Sequence, residues 1–236
     1  MRYNLITVCN SEYFVFAELF IKSLYENVNL NNLKRIFIFD TGLTESQRVF
    51  LESFLKVKVC STQLNTPYGE MHDGNWGENV YSKTKFLLST LQETNSPTVM
   101  VDVDSVFQKD FFQLLTNPIF EDCDFAACSR ERDGFSSHIG SFFAAINVEV
   151  SKSFVSSWVE EINLGNEQFK ESFALSRAIK NTDFNVLNIP EEQISNFTFS
   201  KNAYILHLKS DPERDTINKR ITSYNEYQKR LNLLPI

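Results

Sequence analysis

Several features that mark specialised classes of protein are absent from this sequence. No run of about 20 apolar residues occurs, so the sequence predicts no membrane-spanning helix. The 23 basic side chains are outnumbered by 30 acidic ones, which gives a formal net charge of −7. Since nucleic-acid binding depends on basic patches, this balance argues against a nucleic-acid partner. The first residues are typical of a strand and not of a signal peptide, and we expect a cytoplasmic protein.

Cysteine and glycine are also scarce, with 4 and 7 residues in a chain of 236. The cysteines are spaced like neither a zinc site nor a disulfide framework, so we expect reduced thiols. The first predicted strand leads into Asn10 without a glycine-rich phosphate loop, which argues against a nucleotidyltransferase. Hydrophobic residues make up 42% of the chain, which is enough for a sizeable core, and we expect one globular domain over residues 1–236.

Apolar runs alternate with segments of helical periodicity along most of the chain. Strands are predicted at residues 4–10, 35–40, 57–60, 98–103, 124–128, 140–147 and 202–208. Helices are predicted at residues 12–27, 44–55, 81–92, 152–162 and 168–180. This order predicts an α/β fold with a mostly parallel, Rossmann-like sheet flanked by helices. Ligands of such folds bind at the carboxyl ends of the strands.

The strongest chemical pattern is a pair of carboxylates at the end of an apolar strand. Asp102 and Asp104 are spaced i and i+2, so in an extended chain both side chains share one face. Burying such a pair without a counterion is costly, and Mg²⁺ or Mn²⁺ suits it because these ions bind a few carboxylates, waters and substrate phosphates. His207 ends another apolar strand and is a third candidate ligand.

Other interpretations of this pattern stay open. Two aspartates at a strand end also occur as helix caps or solvated groups, and a lone histidine is more often structural than a ligand. Residues 102–106 also fit the nucleophile loop of haloacid-dehalogenase-like Mg²⁺-dependent phosphatases. That loop normally follows the first core strand, however, whereas here a long βα pattern precedes it. This position favours the metal-site interpretation over the phosphatase.

Taken in order, several segments resemble the metal-dependent glycosyltransferases of the GT-A fold, and above all glycosyltransferase family 8. Among them are the family's uridine-binding first strand and turn, its second-strand segment, its donor-side helix and its metal motif. The matching segments are residues 7–13, 39–45, 81–83, 102–104, 143–147 and 184–187. The resemblance covers about residues 4–208. The resemblance depends on the order and spacing of these segments more than on any one of them.

The resemblance implies an activity and a site. It implies a retaining glycosyltransferase that moves a sugar from a nucleotide-diphosphate donor, UDP-linked in this family, to a glycan or lipid acceptor. A nucleotide-binding half would cover residues 1–110 and a sugar and acceptor half residues 111–236. The implied ligands of Mn²⁺ or Mg²⁺ are Asp102, Asp104 and His207. The residues implied to bind the donor are Thr7, Cys9, Asn10, Tyr13, Asp40, Lys83, Asp102, Val103 and Lys209.

The chain also departs from the family pattern. The family's Asn-Ala-Gly is absent before Asn147, and its Gly and Lys-Pro-Trp are absent after His207. Its Asp-Gln pair at the reacting centre corresponds to Glu171 and Ser172, which we take as the candidate catalytic residues. Metal and nucleotide binding therefore transfer to this chain better than the identity of the sugar or the stereochemistry. A catalytically inactive nucleotide-sugar-binding protein is the remaining alternative.

Three of these residues have equally simple local explanations. Glu171 opens a predicted helix, where an acidic surface group is favoured by the helix dipole. Asp40 ends a strand and can cap the turn at Gly42 instead of approaching a ribose. Tyr13 can stack on a nucleotide base or merely fix the first helix to the core. The sequence leaves these alternatives open.

Two further segments bear on the acceptor. A polar loop precedes Tyr81 and is expected either to cover the donor, to line an acceptor groove, or to be a plain surface loop. Its candidate residues are Tyr68, Met71, His72, Asp73 and Trp76. The basic residues of the tail either contact a membrane that carries a lipid-linked acceptor or form a solvated helix face. These are Lys219, Arg220, Lys229 and Arg230.

Overall fold

The computed structural model describes residues 1–64, 74–116, 122–132, 134–165, 170–194, 198–209 and 216–233. Strands within these ranges are β1 (Tyr3–Cys9), β2 (Leu33–Asp40), β3 (Val57–Ser61), β4 (Thr98–Val101), β5 (Ser105–Phe107), β6 (Phe125–Arg132), β7 (Phe135–Ala145), β8 (Val186–Pro190) and β9 (Ile205–His207). Helices are α1 (Phe14–Asn27), α2 (Glu45–Glu52), α3 (Gly74–Thr94), α4 (Phe112–Leu115), α5 (Val148–Leu164), α6 (Lys170–Lys180), α7 (Glu191–Ile194) and α8 (Ile217–Leu233).

Seven strands form one central sheet in the order β3-β2-β1-β4-β7-β6-β8. Strands β1 to β4 are parallel to their neighbours among themselves, and β8 is parallel to β6. Only β7 runs antiparallel to both strands beside it within the described sheet. The expectation of a mostly parallel α/β sheet flanked by helices is confirmed. Its carboxyl edge collects the ends of β1, β2 and β4, where the sequence placed the candidate site.

Apolar side chains alternate between the two faces of this sheet. Leu5 of β1 and Val101 of β4 belong to a core cluster that contains residues of α1 and α2. Ile6 and Met100, the intervening positions, belong to a second cluster with residues of α3, α5 and α6. Because neighbouring residues of a strand point to opposite faces, each central strand is buried on both sides. The sheet is thus held rigidly between two layers of helices.

The structure differs from the predicted elements in a few places. Helix α3 begins at Gly74, whereas the sequence predicted a loop as far as residue 77. Strand β7 begins at Phe135, earlier than predicted, and the strands β5 and β8 were not predicted. Both are short, at 3 and 5 residues, so they carry little periodicity of their own. No helix in the described ranges is both long and apolar enough to cross a bilayer.

Strands β5 and β9 form a separate two-stranded sheet. They pair antiparallel, with Ser105 opposite His207 and Phe107 opposite Ile205. The helix α8 packs nearby, since Ile217 and Ile221 contact the core cluster that contains Leu206 of β9. This small sheet connects the end of β4 to the C-terminal part of the chain.

Candidate functional site

The two aspartates lie on the turn between β4 and β5. Strand β4 ends at Val101, and the amide of Asp102 donates a hydrogen bond of 3.0 Å to the carbonyl of Ser141 on β7. Strand β5 then begins at Ser105, directly after Asp104. The turn is therefore fixed from both sides by regular strands, at the carboxyl edge of the central sheet.

The pairing of β5 with β9 brings His207 to these aspartates. The amide of Leu208 donates a 2.7 Å hydrogen bond to the carbonyl of Asp104, which continues the ladder beyond the strand. His207 Nε2 lies 3.1 Å from Asp104 Oδ1 and 3.5 Å from Asp102 Oδ2. One ligand atom from each of the three residues lies within 4.8 Å of the other two. The three side chains expected at a metal site thus converge on one point.

In each of the two aspartate carboxylates, one oxygen is contacted by a buried basic side chain. Lys83 of α3 donates to Asp102 Oδ1, and Nη1 of Arg220 on α8 lies 3.1 Å from Asp104 Oδ2. The two remaining oxygens, Asp102 Oδ2 and Asp104 Oδ1, are the ones closest to His207 Nε2. The carboxylates are therefore oriented from outside, and each presents one oxygen to a common space.

The charges around this space keep Asp104 and Lys83 ionised. Burial opposes ionisation of Asp104, but His207 and then Arg220 outweigh it and lower the pKa of that carboxyl to about 2. Burial likewise opposes the charge on Lys83, but Asp102 and Glu171 outweigh it and raise the pKa of the ammonium. Two carboxylates and one imidazole form a donor set that suits Mn²⁺ or Mg²⁺, so the residues fit the implied ion.

Glu171 lies in the first turn of α6, and its side chain is buried, not on the helix surface. Its Oε2 is 3.1 Å from Lys83 Nζ, so the lysine joins Glu171 to Asp102. Burial raises the pKa of Glu171 to about 8; Lys83 opposes this shift and Asp102 adds to it. A Cβ atom on Gly140 would lie 2.4 Å from Glu171 Cδ, so the glycine leaves the space that the glutamate occupies.

Ser172, the other candidate catalytic residue, faces the backbone of β7. Its Oγ accepts a 3.2 Å hydrogen bond from the amide of Gly140, and its carbonyl accepts one from Ser176. The indole of Trp158 donates a 3.0 Å hydrogen bond to the carbonyl of Glu171. These contacts fix the start of α6 against the sheet and thereby fix the position of the glutamate.

The N-terminal candidates surround the end of β1. Thr7 and Cys9 are buried on the strand, and burial and then Asp40 raise the pKa of the Cys9 thiol. Asn10 follows the strand, and its Oδ1 accepts a 3.0 Å hydrogen bond from the amide of Tyr13 at the start of α1. The hydroxyl of Tyr13 accepts a 3.3 Å hydrogen bond from Arg220 Nη2. Through Arg220, the first turn of the fold is connected to the aspartate pair.

Asp40 and Val103 lie in structural positions. Asp40 Oδ1 accepts hydrogen bonds from the amides of Gly42, at 2.8 Å, and Leu43, at 2.6 Å. Its Oδ2 is 2.5 Å from Arg48, so the side chain caps the turn after β2. Val103 is 7% exposed and packs in the core while the aspartates on either side face the site.

Lys209 follows β9, and its ammonium interacts electrostatically with Asp102 and Asp104. Burial and then Arg130 lower the pKa of its ammonium, and the acidic groups Asp102 and Glu191 oppose the shift. Arg130 itself pairs with Glu191 at 2.6 Å. Lys209 thus contributes positive charge beside the aspartates, as the sequence predicts for a diphosphate site.

The contribution of Arg220 was missed by the sequence analysis. The basic tail was expected to contact a membrane or solvent, and neither applies to Arg220, which is 3% exposed. A signal was present, because Arg220 shares one helix face with Ile217, Ile221 and Tyr224, which pack against the core. By contrast, Lys219 is exposed, as a solvated face predicts.

Part of the predicted acceptor segment lies outside the described residues. Of the loop candidates, Tyr68, Met71, His72 and Asp73 fall there, as does the side chain of Trp76. The loop's role as a lid or acceptor groove stays a prediction. The described site therefore consists of the strand ends, the start of α6 and the inner faces of α3 and α8.

Comparison with known proteins identifies a family whose sequence model matches this chain. The sequence model described as nucleotide-diphospho-sugar transferase matches residues 57–219. No curated protein sequence matches the chain. The matched segment contains Lys83, both aspartates, Glu171 and His207.

Solved structures of similar fold include glycosyltransferases. The apo structure of WbbM, a bifunctional glycosyltransferase, is 12% identical with a TM-score of 0.61, and the match covers 97% of this chain and 51% of that one. The galactosyltransferase LgtC, solved with donor and acceptor sugar analogues, is 11% identical with a TM-score of 0.59, covering 99% and 96% of the two chains. An active-site mutant of LgtC is 10% identical with a TM-score of 0.64 and the same coverage. At identities of 10–12%, these structures support the fold alone. The family match does not favour the alternative of a haloacid-dehalogenase-like phosphatase.

Proposed function

Because the chain belongs to the nucleotide-diphospho-sugar transferase family and is a glycosyltransferase of GT-A fold, we propose that it transfers a sugar from a UDP-sugar in a metal-dependent reaction. The observation that supports this most is the convergence of Asp102, Asp104 and His207, whose ligand atoms lie within 4.8 Å of one another. The acceptor in this proposal is a glycan or a lipid-linked sugar. Retention of configuration and membership of glycosyltransferase family 8 belong to the same proposal.

In this proposal, the metal is held by Asp102, Asp104 and His207. A divalent cation held by these residues would act as a Lewis acid toward the diphosphate of the donor. The aspartates need no rearrangement to take this role, because Lys83 and Arg220 already orient them. Charge complementarity with a doubly charged ion is also favourable, since Asp104 stays ionised at neutral pH.

The leaving diphosphate gains negative charge as the bond between the anomeric carbon and the phosphate oxygen breaks. Lys209, near Asp102 and only partly exposed, is placed to stabilise this charge. Lys83 contributes a second, buried cation, which pairs with Asp102. Preorganised charges of this kind contribute a hundredfold or more in rate in other enzymes, on the order of 3 kcal/mol. The acceptor hydroxyl supplies the oxygen of the new bond, and its proton leaves with the nucleotide product or to solvent.

Glu171 is assigned to the sugar side of the site. Its carboxyl is buried beside Lys83, and burial raises its pKa to about 8, which favours the protonated form more than at an exposed glutamate. A protonated carboxyl can donate a hydrogen bond to a sugar hydroxyl as well as accept one. In this proposal Glu171 orients the donor sugar. Ser172 supports it by fixing the start of α6 against Gly140.

The nucleoside is assigned to the end of β1. Asn10 and Tyr13 form the turn above the strand, and Tyr13 offers a ring on which a base can stack. Thr7 and Cys9 are buried on the strand that leads into this turn, and Val103 belongs to this assignment through its place between the two aspartates. The capping contacts of Asp40 explain its position without a ligand, so its approach to the ribose is the least supported of these assignments.

A donor screen tests the proposal directly. The purified chain is incubated with UDP- and GDP-linked sugars and Mn²⁺, and the released nucleotide is measured with and without EDTA. We expect release from a UDP-sugar that is abolished by EDTA and restored by added Mn²⁺. Binding of UDP-sugars without any turnover, with a range of acceptors, would favour the inactive sugar-binding alternative. Release that is unaffected by EDTA would contradict the metal dependence.

A further inference from the structure

We propose that Arg220 of α8 is a positioning residue of the metal site, which holds one oxygen of Asp104 so that the other is directed towards His207. The inference rests on the proposed metal-dependent function and adds the C-terminal helix to the site. Arg220 lies just beyond residues 57–219, the segment matched by the family model. Its place in the site therefore follows from its own contacts and not from the family match.

The guanidinium of Arg220 makes polar contacts with described residues in three different parts of the chain. Nη1 lies 3.1 Å from Asp104 Oδ2 and donates a 3.4 Å hydrogen bond to the carbonyl of Leu208. Nη2 donates a 3.3 Å hydrogen bond to the hydroxyl of Tyr13. The planar fork of donors in arginine allows these contacts to be made at once, whereas a lysine ammonium is a single point charge.

The guanidinium of Arg220 packs against two aromatic rings. Its central carbon lies 5.6 Å from the centre of the Tyr13 ring and 5.3 Å from that of Phe16. Arg220 is 3% exposed, so these contacts are made out of water, where cation–π contacts are strongest. The group is thus held in place on one face by α1 and on its edge by β9.

This arrangement decides which oxygen of Asp104 is available. Oδ2 is occupied by Arg220, and Oδ1 lies 3.1 Å from His207 Nε2. Oδ1, which Arg220 does not contact, is therefore the oxygen of Asp104 that faces an ion shared with His207 and Asp102. Residues that hold metal ligands in this way typically contribute 10- to 100-fold to metal affinity. The same cation also neutralises Asp104 when no metal is bound.

An alternative role for the contact between Arg220 and Asp104 predicts the opposite change in metal affinity. If Arg220 instead occupied the place of the metal, its removal would free Asp104 and strengthen metal binding. The geometry favours positioning, because Arg220 contacts Oδ2 while the atoms that converge with His207 are Oδ1 of Asp104 and Oδ2 of Asp102. The sign of the change in affinity separates the two roles.

The experiment measures Mn²⁺ binding by the full chain with saturating UDP, from the electron paramagnetic resonance signal of free Mn²⁺. We expect Arg220→Met to weaken Mn²⁺ binding about tenfold or more and Arg220→Lys to weaken it less. The matched control is Lys219→Met, which removes one cation from the exposed neighbouring position and should leave the affinity unchanged. In an Asp104→Asn background, Arg220→Met should cause little further loss, because its effect passes through Asp104.

Thermal unfolding shows which variants are folded. Wild-type affinity in a folded Arg220→Met variant, or tighter binding, would overturn the proposal; if that variant does not fold, wild-type affinity in Arg220→Lys would do so. A loss in the Asp104→Asn background as large as in the parent would also overturn it, because the effect would then be general. Failure of the parent chain to bind Mn²⁺ in the presence of UDP would instead contradict the proposed function itself.

Discussion

The ammonium of Lys83 lies 3.1 Å from Oε2 of Glu171 and at the same time donates to Asp102, so one buried cation serves two carboxylates. If both carboxylates were ionised, this cluster would carry one more negative than positive charge. Burial disfavours that state and raises the pKa of Glu171 to about 8, with Lys83 opposing the shift. The cluster is therefore closest to neutral when Glu171 is protonated.

The raised pKa of Glu171 makes stability depend on pH. Its pKa of about 8 in the folded chain exceeds the ordinary glutamate value of 4.5, so the folded state holds a proton that the unfolded state has lost between these pH values. The contribution of Glu171 to the free energy of unfolding is thus fully present below pH 4.5 and is lost as the pH rises towards 8. The loss is on the order of a few kcal/mol, since one pKa unit corresponds to about 1.4 kcal/mol.

We expect Glu171→Gln to flatten this pH dependence. Urea unfolding of the wild type and the variant at several pH values between 5 and 8 measures it. Relative to the wild type, the variant should become steadily more stable as the pH rises. Glu160→Gln, at an exposed position of α5, is the control and should follow the wild-type curve. Parallel curves for wild type and Glu171→Gln would show that Glu171 does not titrate in this range.

Lys83→Met tests the other half of the contact. The substitution removes the cation beside Asp102 and Glu171, and losing one partner of a buried ion pair costs about 3 kcal/mol. Lys85→Met, two residues along the same helix but exposed, should change the free energy of unfolding by less than about 0.5 kcal/mol. Denaturant unfolding at neutral pH gives both values, and an equal, small effect of the two substitutions would contradict the buried role of Lys83.

The sequence predicted the central sheet and the position of the aspartate pair for local reasons. Strands β1, β2 and β4 are apolar on both faces, and parallel strands with helical crossovers bring their carboxyl ends to one edge. The spacing of Asp102 and Asp104 at such an end was visible without a structure. Thr44 forms a capping box with Gln47 at the start of α2, near the predicted start of that helix at residue 44. Each of these features depends on neighbours within a few residues.

The contacts that orient the aspartates were not predictable in this way. Lys83 and Glu171 lie on helices that are far apart in the sequence. The contact between them depends on how α3 and α6 pack on the sheet. Arg220 was hidden because a basic residue in a charged tail is normally solvated. Strand β5 was missed because its 3 residues form a strand only by pairing with β9. Tertiary packing, which a single sequence does not record, decides all of these.

The metal ligands give the most direct test of activity. Asp102→Asn and Asp104→Asn should abolish transfer and weaken Mn²⁺-dependent UDP binding, because an amide replaces a charged ligand while the shape of the side chain is kept. His207→Ala should weaken Mn²⁺ binding about tenfold or more. Titration calorimetry with Mn²⁺ and UDP, together with circular dichroism, measures binding and folding. Wild-type turnover by either aspartate variant would remove the pair from the reaction.

Gly140 offers a test of the space that Glu171 occupies. A Cβ atom at this position of β7 would lie 2.4 Å from Glu171 Cδ and 2.5 Å from its Oε2, closer than side-chain atoms approach. Since Glu171 is held by Lys83 and by the start of α6, it cannot simply rotate away without losing the ion pair. We expect Gly140→Ala to cost about 1–3 kcal/mol of stability and to lower transfer activity.

The double variant Gly140→Ala with Glu171→Ala separates overlap from other effects of the alanine on β7. Shortening Glu171 removes the atoms with which the new Cβ collides. The double variant should therefore lose less stability than the two single variants lose in total. Denaturant unfolding of the four proteins of the cycle measures the coupling. Strict additivity would mean that Gly140→Ala acts through the strand itself, and that the absence of a side chain at position 140 does not serve Glu171. A coupling of about 1 kcal/mol or more would instead tie this glycine to the carboxyl group on the sugar side of the site.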